Sequence, residues 1–273
     1  MVTELCFVFL EMFNKNSSMI KKESFVSLIF ILSMVFISTG FIPDKASGQA
    51  VSVEVESGAV WFSRNDVRIP NDGGTKFDMI NLIGIDAEAY FRLRLQAQFG
   101  DRHTIRLLYA PIQKQGMGFF SDPVTFENSI FEEIIPVNGT YVFNTYRLTY
   151  RYTFYERGRW ALGAGAAALV RDAKVELVQR DMRETNTDVG FVPLLHFNAN
   201  YRLYSDLAVV FDVESLAGVQ GRATDASLHF DYRVSRNLRF LLGYRVLEGG
   251  ADVEDVYNFS WINFGSIGLR LIL

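Results

Sequence analysis

The residues best placed to do chemistry lie on neighbouring segments late in the chain. If the segment ending at Arg202 folds back about Tyr204-Ser205-Asp206, His196 falls opposite Glu214 and Asn198 opposite Asp212. Folding the next segment back in turn brings Asp225 beside Glu214, with Ser227 and His229 further along the same face. A histidine with one carboxylate partner and a second carboxylate close by suits general acid–base work, because imidazole titrates near neutral pH. The plainer reading makes His196, Asp212, Glu214 and Asp225 a charge network that holds one strand register, or a weak ligand-binding cluster. Three scattered histidines and one cysteine, Cys6, give no metal-ligand spacing, and no phosphate-binding loop occurs. Neither a metal nor a cofactor is expected.

Bringing those side chains together requires strands, and the chain beyond residue 50 supplies them. From Ala87 to Phe99 one side reads Ala, Ala, Phe, Leu, Leu, Ala, Phe and the other Glu, Tyr, Arg, Arg, Gln, Gln. Thr145 to Phe154 and Asp225 to Val234 repeat this period of two, the mark of a sheet with unlike faces. Ten such segments are expected, near 51–63, 81–99, 103–113, 140–155, 160–175, 191–203, 207–216, 223–234, 238–248 and 258–273. Tight turns at 100–102, 156–159, 204–206 and 235–237 alternate with longer loops at 64–80, 114–139, 176–190, 217–222 and 249–257. An even number of strands with short turns at one end and long loops at the other predicts a closed barrel with hydrocarbon outside. Lipid offers backbone groups no hydrogen-bond partner, so such a sheet must close on itself.

The polar face then lines the lumen. It carries Arg92, Arg94, Arg106, Arg147, Arg151, Arg202, Arg233, Arg239, Arg245 and Arg270, against Glu54, Glu56, Glu88, Asp212, Glu214, Asp225 and Asp231. Arg92, Arg94, Arg147, Arg151, Arg233, Arg245 and Asp231 are expected to form the body of a lumenal charge network. Beyond residue 50 there are only three lysines, Lys76, Lys114 and Lys174, and a planar guanidinium fork explains the preference for arginine in a crowded polar interior. Ala161, Gly163, Gly165 and Ala167, facing Arg147 to Thr153, leave room for those forks. A polar, largely filled lumen is the expectation; a narrow pore for small anions or apolar solutes is the alternative.

Composition sets the outer bounds. At 273 residues the chain can bury a core, 14% aromatic content excludes low-complexity disorder, and a net charge of −4 argues against a nucleic-acid partner. Ser24 to Pro43 is uncharged and apolar, preceded by Lys21-Lys22 and followed by small residues, the layout of a cleaved signal peptide ending near Ala50. The expected division is therefore 1–50, an N-terminal extension with signal peptide (translation from Met19 would remove Cys6), and 51–273, the barrel. Aromatic girdles are expected from Phe99, Tyr152, Phe154, Trp160, Tyr201, Tyr232 and Phe240 at the short-turn end and from Tyr90, Tyr109 and Tyr244 at the loop end. The apolar stretch 114–139 is read first as packing on itself above the rim, with a lid over the mouth, the lining of a hydrophobic ligand entrance, or an extended hairpin as the other readings.

In its ten alternating segments, asymmetric turns and apolar last strand Gly265–Leu273, the region 51–273 resembles the superfamily of small bacterial outer-membrane β-barrels. The resemblance implies an all-β, transmembrane, antiparallel up-and-down barrel, exported to the cell outer membrane. Its neighbours there would be outer-membrane lipids and lipopolysaccharide, with a small anionic or apolar ligand as a further expectation. The chain departs from the pattern at Leu273, where such proteins usually end in Phe. Omptin proteases are similar in strand number and in using acidic and histidine residues near the outer rim, but no omptin motif occurs, so no residue is carried over. Outer-membrane lipid A deacylases use a His-Ser pair on the barrel exterior, whereas Ser227 and His229 face inward. The function expected is non-enzymatic, structural or surface-binding. A narrow channel, or a rim hydrolase using His196, Glu214 and Asp225, are the alternatives.

Overall fold

The computed structural model describes residues 50–273; the expected signal peptide and Cys6 lie outside them. Ten long strands follow one another: β1 (Ala50–Arg68), β2 (Glu88–Phe99), β3 (His103–Ala110), β4 (Val137–Arg157), β5 (Trp160–Gln179), β6 (Met182–Arg202), β7 (Leu207–Gly218), β8 (Gly221–Arg233), β9 (Leu238–Asp252) and β10 (Tyr257–Ile272). Each pairs antiparallel with the next, and β10 returns to β1 from Ser52↔Ile272 to Arg68↔Tyr257, so the sheet is closed. The chain end is stitched in by Leu273 N–H donating to Val51 C=O at 2.8 Å. No helix of the described residues is long and apolar enough to cross a membrane, a statement that does not bear on strands.

Four tight turns join strands at one end, as the sequence predicts. The opposite end differs from expectation in an instructive way. Segments 176–190 and 217–222 are not loops: β5 and β6 pair up to Gln179↔Met182, and β7 and β8 up to Gly218↔Gly221. β1, β4, β5 and β6 run for 19 to 21 residues, about twice the roughly 9–11 needed to span a bilayer, so their hairpins project well past one barrel end.

Two excursions remain at that end. Residues 69–87 hold a short strand, Phe77–Asp78, on β1 and one helical turn, α1 (Ile80–Ile83). In 111–136, Gln113–Gly118 extends the β3 edge along β4, and a small hairpin joins Val124–Phe126 to Ser129–Phe131. The apolar stretch 114–139 is thus partly an extended hairpin and partly cover. Phe120, Phe126 and Phe131 are buried, while Met117, Phe119, Ile130 and Ile134 face out.

Alternation sorts the side chains. Outward lie exposed apolar groups such as Phe91, Leu107, Leu148, Phe211, Leu228, Phe230, Leu242 and Leu269. Inward, the chemistry changes along each strand. On β1 the inner face runs Ser52, Glu54, Glu56, then Val60 and Phe62. On β10 it runs from Arg270 to Phe264 and Ile262. The interior therefore has a charged half toward the short turns and an apolar half toward the loops.

Candidate functional site

The charged half is built on the strand pairings themselves. His196↔Glu214, Asn198↔Asp212 and Glu214↔Asp225 are direct cross-strand partners, and β2, β4 and β9 send arginines across the lumen to meet them. Arg106 reaches over from β3, donating to Asp212 at 3.1 Å and to Glu214 at 2.6 Å. Thr149 also donates to Glu214 at 2.6 Å, and Arg147 donates to the other oxygen of the same carboxylate. Asp225 accepts from Arg92 at 3.1 Å, Arg147 at 3.0 Å and Arg245 at 2.6 Å. Arg245 carries the network on to Glu56, which also accepts from the Tyr90 hydroxyl.

A second cluster lies nearer the short turns. Arg94 pairs with Glu54, Arg270 bridges Glu54 at 2.8 Å and Asp231 at 2.9 Å, and Arg239 meets Asp231 at 2.7 Å. Arginine suits both clusters because one planar group can satisfy two carboxylates at once.

Of the predicted network, Arg92, Arg94, Arg147, Arg245 and Asp231 sit in these clusters. Two residues do not. Arg233 is the last residue of β8, exposed beside the turn at 235–237, because the alternation carries it past the end of the lumen. Arg151 does point inward but has no carboxylate within 4 Å among the described residues; it donates to Thr104 at 3.3 Å. Its cross-strand partner on β5 is Gly165 and its stem lies against Gly163, and neither brings an acid to it. Three other expectations need the same correction. Arg202 is exposed at the short-turn end, Glu88 is half exposed opposite Lys114, and Tyr90 belongs to the interior rather than to a girdle.

His196 donates to Asp212 at 3.1 Å through Nε2–H, with Asn198 donating to the same oxygen at 3.0 Å. His196, Asp212 and Glu214 bring ligand atoms within 4.8 Å of one another. That set does not suit a cation, since Arg106 and Arg147 already neutralise both carboxylates. Nor does the trio His196, Glu214 and Asp225 stand at an open rim. Glu214 is 1% exposed and Asp225 3%, and Leu194 and Ala223 occupy the next inward positions toward the loops on β6 and β8. A general base needs a free lone pair within reach of substrate or water. Here guanidinium and hydroxyl donors take those positions on the carboxylates, and His196, whose Nδ1 has no hydrogen-bond partner among the described residues, is only 3% exposed.

Sequence reasoning missed the apolar half. Val60, Phe62, Tyr90, Tyr141, Leu177, Leu247, Ile262 and Phe264 from the barrel wall pack with Met79, Leu82, Ile83, Phe120, Phe126 and Phe131 from the two excursions. Phe62 meets Tyr141 edge-on at 5.6 Å, and Tyr90 meets Phe264 at 4.9 Å. The helical turn α1 can lie this close because a Cβ on Gly118 would come within 2.1 Å of the Asn81 carbonyl oxygen. The signal was present: Glu54, Glu56, Val60 and Phe62 share one parity, so a lumenal stripe turning apolar could have been followed upward.

No protein-family model matches the chain, and no curated protein matches it in sequence. Solved structures do. The outer membrane protease OmpT from Escherichia coli superposes with a TM-score of 0.51, covering 84% of this chain and 99% of that one at 8% identity. The fold is that of an outer-membrane β-barrel. Lesser likenesses are the attachment invasion locus protein Ail of Yersinia pestis (TM-score 0.38, 11% identity, 84% and 100% covered) and an outer membrane channel from Pseudomonas putida F1 (0.40, 9%, 86% and 98%). At such identities the agreement concerns backbone alone.

Proposed function

We propose that this chain is an integral outer-membrane barrel that neither conducts solutes nor catalyses a reaction, and that works through its projecting hairpins at the loop end. The observation that carries this reading is the filled lumen: an apolar layer closes one half, and cross-lumen arginine–carboxylate clusters occupy the other. An outer belt of exposed Leu, Phe and Val favours lipid, and membrane lipid with lipopolysaccharide is its proposed surrounding. The likeness to a protease does not extend to a usable acid–base pair, since both carboxylates facing His196 are taken up by arginines.

Planar-bilayer recording and liposome swelling test the reading directly. The barrel should give neither discrete conductance steps nor swelling with small sugars or anions. Reproducible steps from the wild-type protein would replace it with the channel. Peptides and lipopolysaccharide incubated with the protein should be recovered unaltered by mass spectrometry; turnover lost on His196→Ala would restore the hydrolase.

A further inference from the structure

The charged half holds more arginine than its own carboxylates can neutralise. Arg92, Arg94, Arg106, Arg147, Arg151, Arg239, Arg245 and Arg270 stand against Glu54, Glu56, Asp212, Glu214, Asp225 and Asp231, an excess of two positive charges. The excess is not spread evenly. It is visible at Arg151, which has no acidic partner and whose stem lies against Gly163, where a Cβ would come within 2.8 Å of Cδ. Arg151 is half buried, and a cation with no carboxylate beside it is stabilised there by water or by an anion.

Arg151 lines a cavity of about 150 Å³ together with Arg94, Arg106, Arg270, Ser227 and His229. A cavity of this volume accepts a benzene-sized molecule, so a tetrahedral oxyanion has room. Ser227 and His229 are each at least nine-tenths buried, yet Ser227 Oγ and His229 Nε2 have no hydrogen-bond partner among the described residues. The Nε atoms of Arg94 and Arg151 are likewise unmatched. The two acids on the wall, Asp212 and Asp231, are already bound by Arg106 and by Arg239 and Arg270. Toward the short turns the lining residues Gln96, Thr153, Ala161 and Asn200 are only half buried, which marks the side of entry.

We propose that this cavity binds a small oxyanion of the phosphate class, entering from the short-turn end and held chiefly by Arg151. Planar guanidinium forks match phosphate oxygens, and a bound anion would cancel the surplus charge without disturbing either arginine–carboxylate cluster. The proposal does not rest on the non-conducting reading, because a site at one end of the lumen is compatible with a closed or an open barrel.

The test uses the folded barrel in a nonionic detergent and phosphate-free buffer, titrated calorimetrically with inorganic phosphate. One saturable site per chain is expected. Arg151→Ala should weaken it at least about tenfold, Ala161→Leu should abolish it by filling the cavity, and Arg233→Ala should leave it unchanged. Intact folding of each variant is checked by its heat-dependent shift on gels. A competition arm adds short-chain phosphatidic acid: displacement identifies a lipid headgroup as the source, and its failure identifies free phosphate, both within the same oxyanion chemistry. Absence of saturable binding by either probe, or binding indifferent to both Arg151→Ala and Ala161→Leu, overturns the proposal.

Discussion

The two halves of the lumen fill the same barrel with opposite materials. Toward the loops, Phe62, Ile262, Phe264 and Leu177 pack as they would in the core of a soluble protein, and the two excursions add the residues the wall lacks. Toward the short turns, arginines cross the lumen to carboxylates on distant strands, Arg106 to Asp212 being 106 residues apart in sequence. An apolar layer is forgiving, since its contacts are non-directional and side chains of similar volume can substitute for one another. A buried ion cluster is not, because removing one member strands charges that were desolvated on the understanding that all partners are present. Mutations should therefore separate the halves by how steeply stability falls with chemical change, not by how much surface each buries.

Asp225→Asn should give the largest loss. Asp225 accepts from Arg92, Arg147 and Arg245, and the neutral amide would leave three guanidiniums sharing Glu56 and Glu214. Breaking a buried ion pair costs about 3–5 kcal/mol. Urea titration of the barrel in lipid vesicles, followed by fluorescence of its three tryptophans, measures it. A loss under about 1 kcal/mol would show that the arginines reach water and that the charged half is a wet surface.

Leu82→Ala probes the other half through the piece that is not barrel. Leu82 is 2% exposed on α1, laid over Gly139 of the wall. Truncating a buried leucine costs about 2–5 kcal/mol, and the lower part of that range is expected because a short excursion can settle into the space. Ile262→Val, in the same layer but in β10, should cost about 1 kcal/mol. If Ile262→Val proved as damaging as Asp225→Asn, the contrast between directional and non-directional filling would be lost.

What the sequence made legible follows from the same contrast. Where hydrocarbon lies outside and arginine inside, as in Glu88–Phe99 or Asp225–Val234, the period of two is strong, and strands, turns and the pairing of His196 with Glu214 could be read from it. Where the inside turns apolar, the two faces grow alike. Where a hairpin rises clear of lipid, as Glu184 to Asp188 does, both faces turn polar. In either case the alternation fades, so 64–80 and 176–190 read as loops although β1 runs to Arg68 and β5 and β6 pair to their tips. Partner choice within the lumen was illegible for another reason. Which arginine meets which acid depends on stagger around a closed ring, and parity alone told Arg151 from neither Arg147 nor Arg106.

The smallest predicted effect is also the sharpest local comparison. Arg233 and Arg239 are direct partners across the β8–β9 pair, identical in type and one turn from solvent. Arg239 is half buried and donates to Asp231 at 2.7 Å, whereas Arg233 is exposed. Arg239→Ala should nevertheless cost only about 1 kcal/mol, because Arg270 still holds the second oxygen of Asp231 at 2.9 Å and no acid is left alone. Arg233→Ala should fall within about 0.5 kcal/mol of the wild type, as surface substitutions usually do. Combining Arg239→Ala with Arg270→Ala removes both donors from a carboxylate 2% exposed, and the loss should exceed the sum of the single losses. Additive losses in that double mutant would mean that Asp231 finds water when its arginines leave, and the charged half would then end one strand step deeper than Asp231.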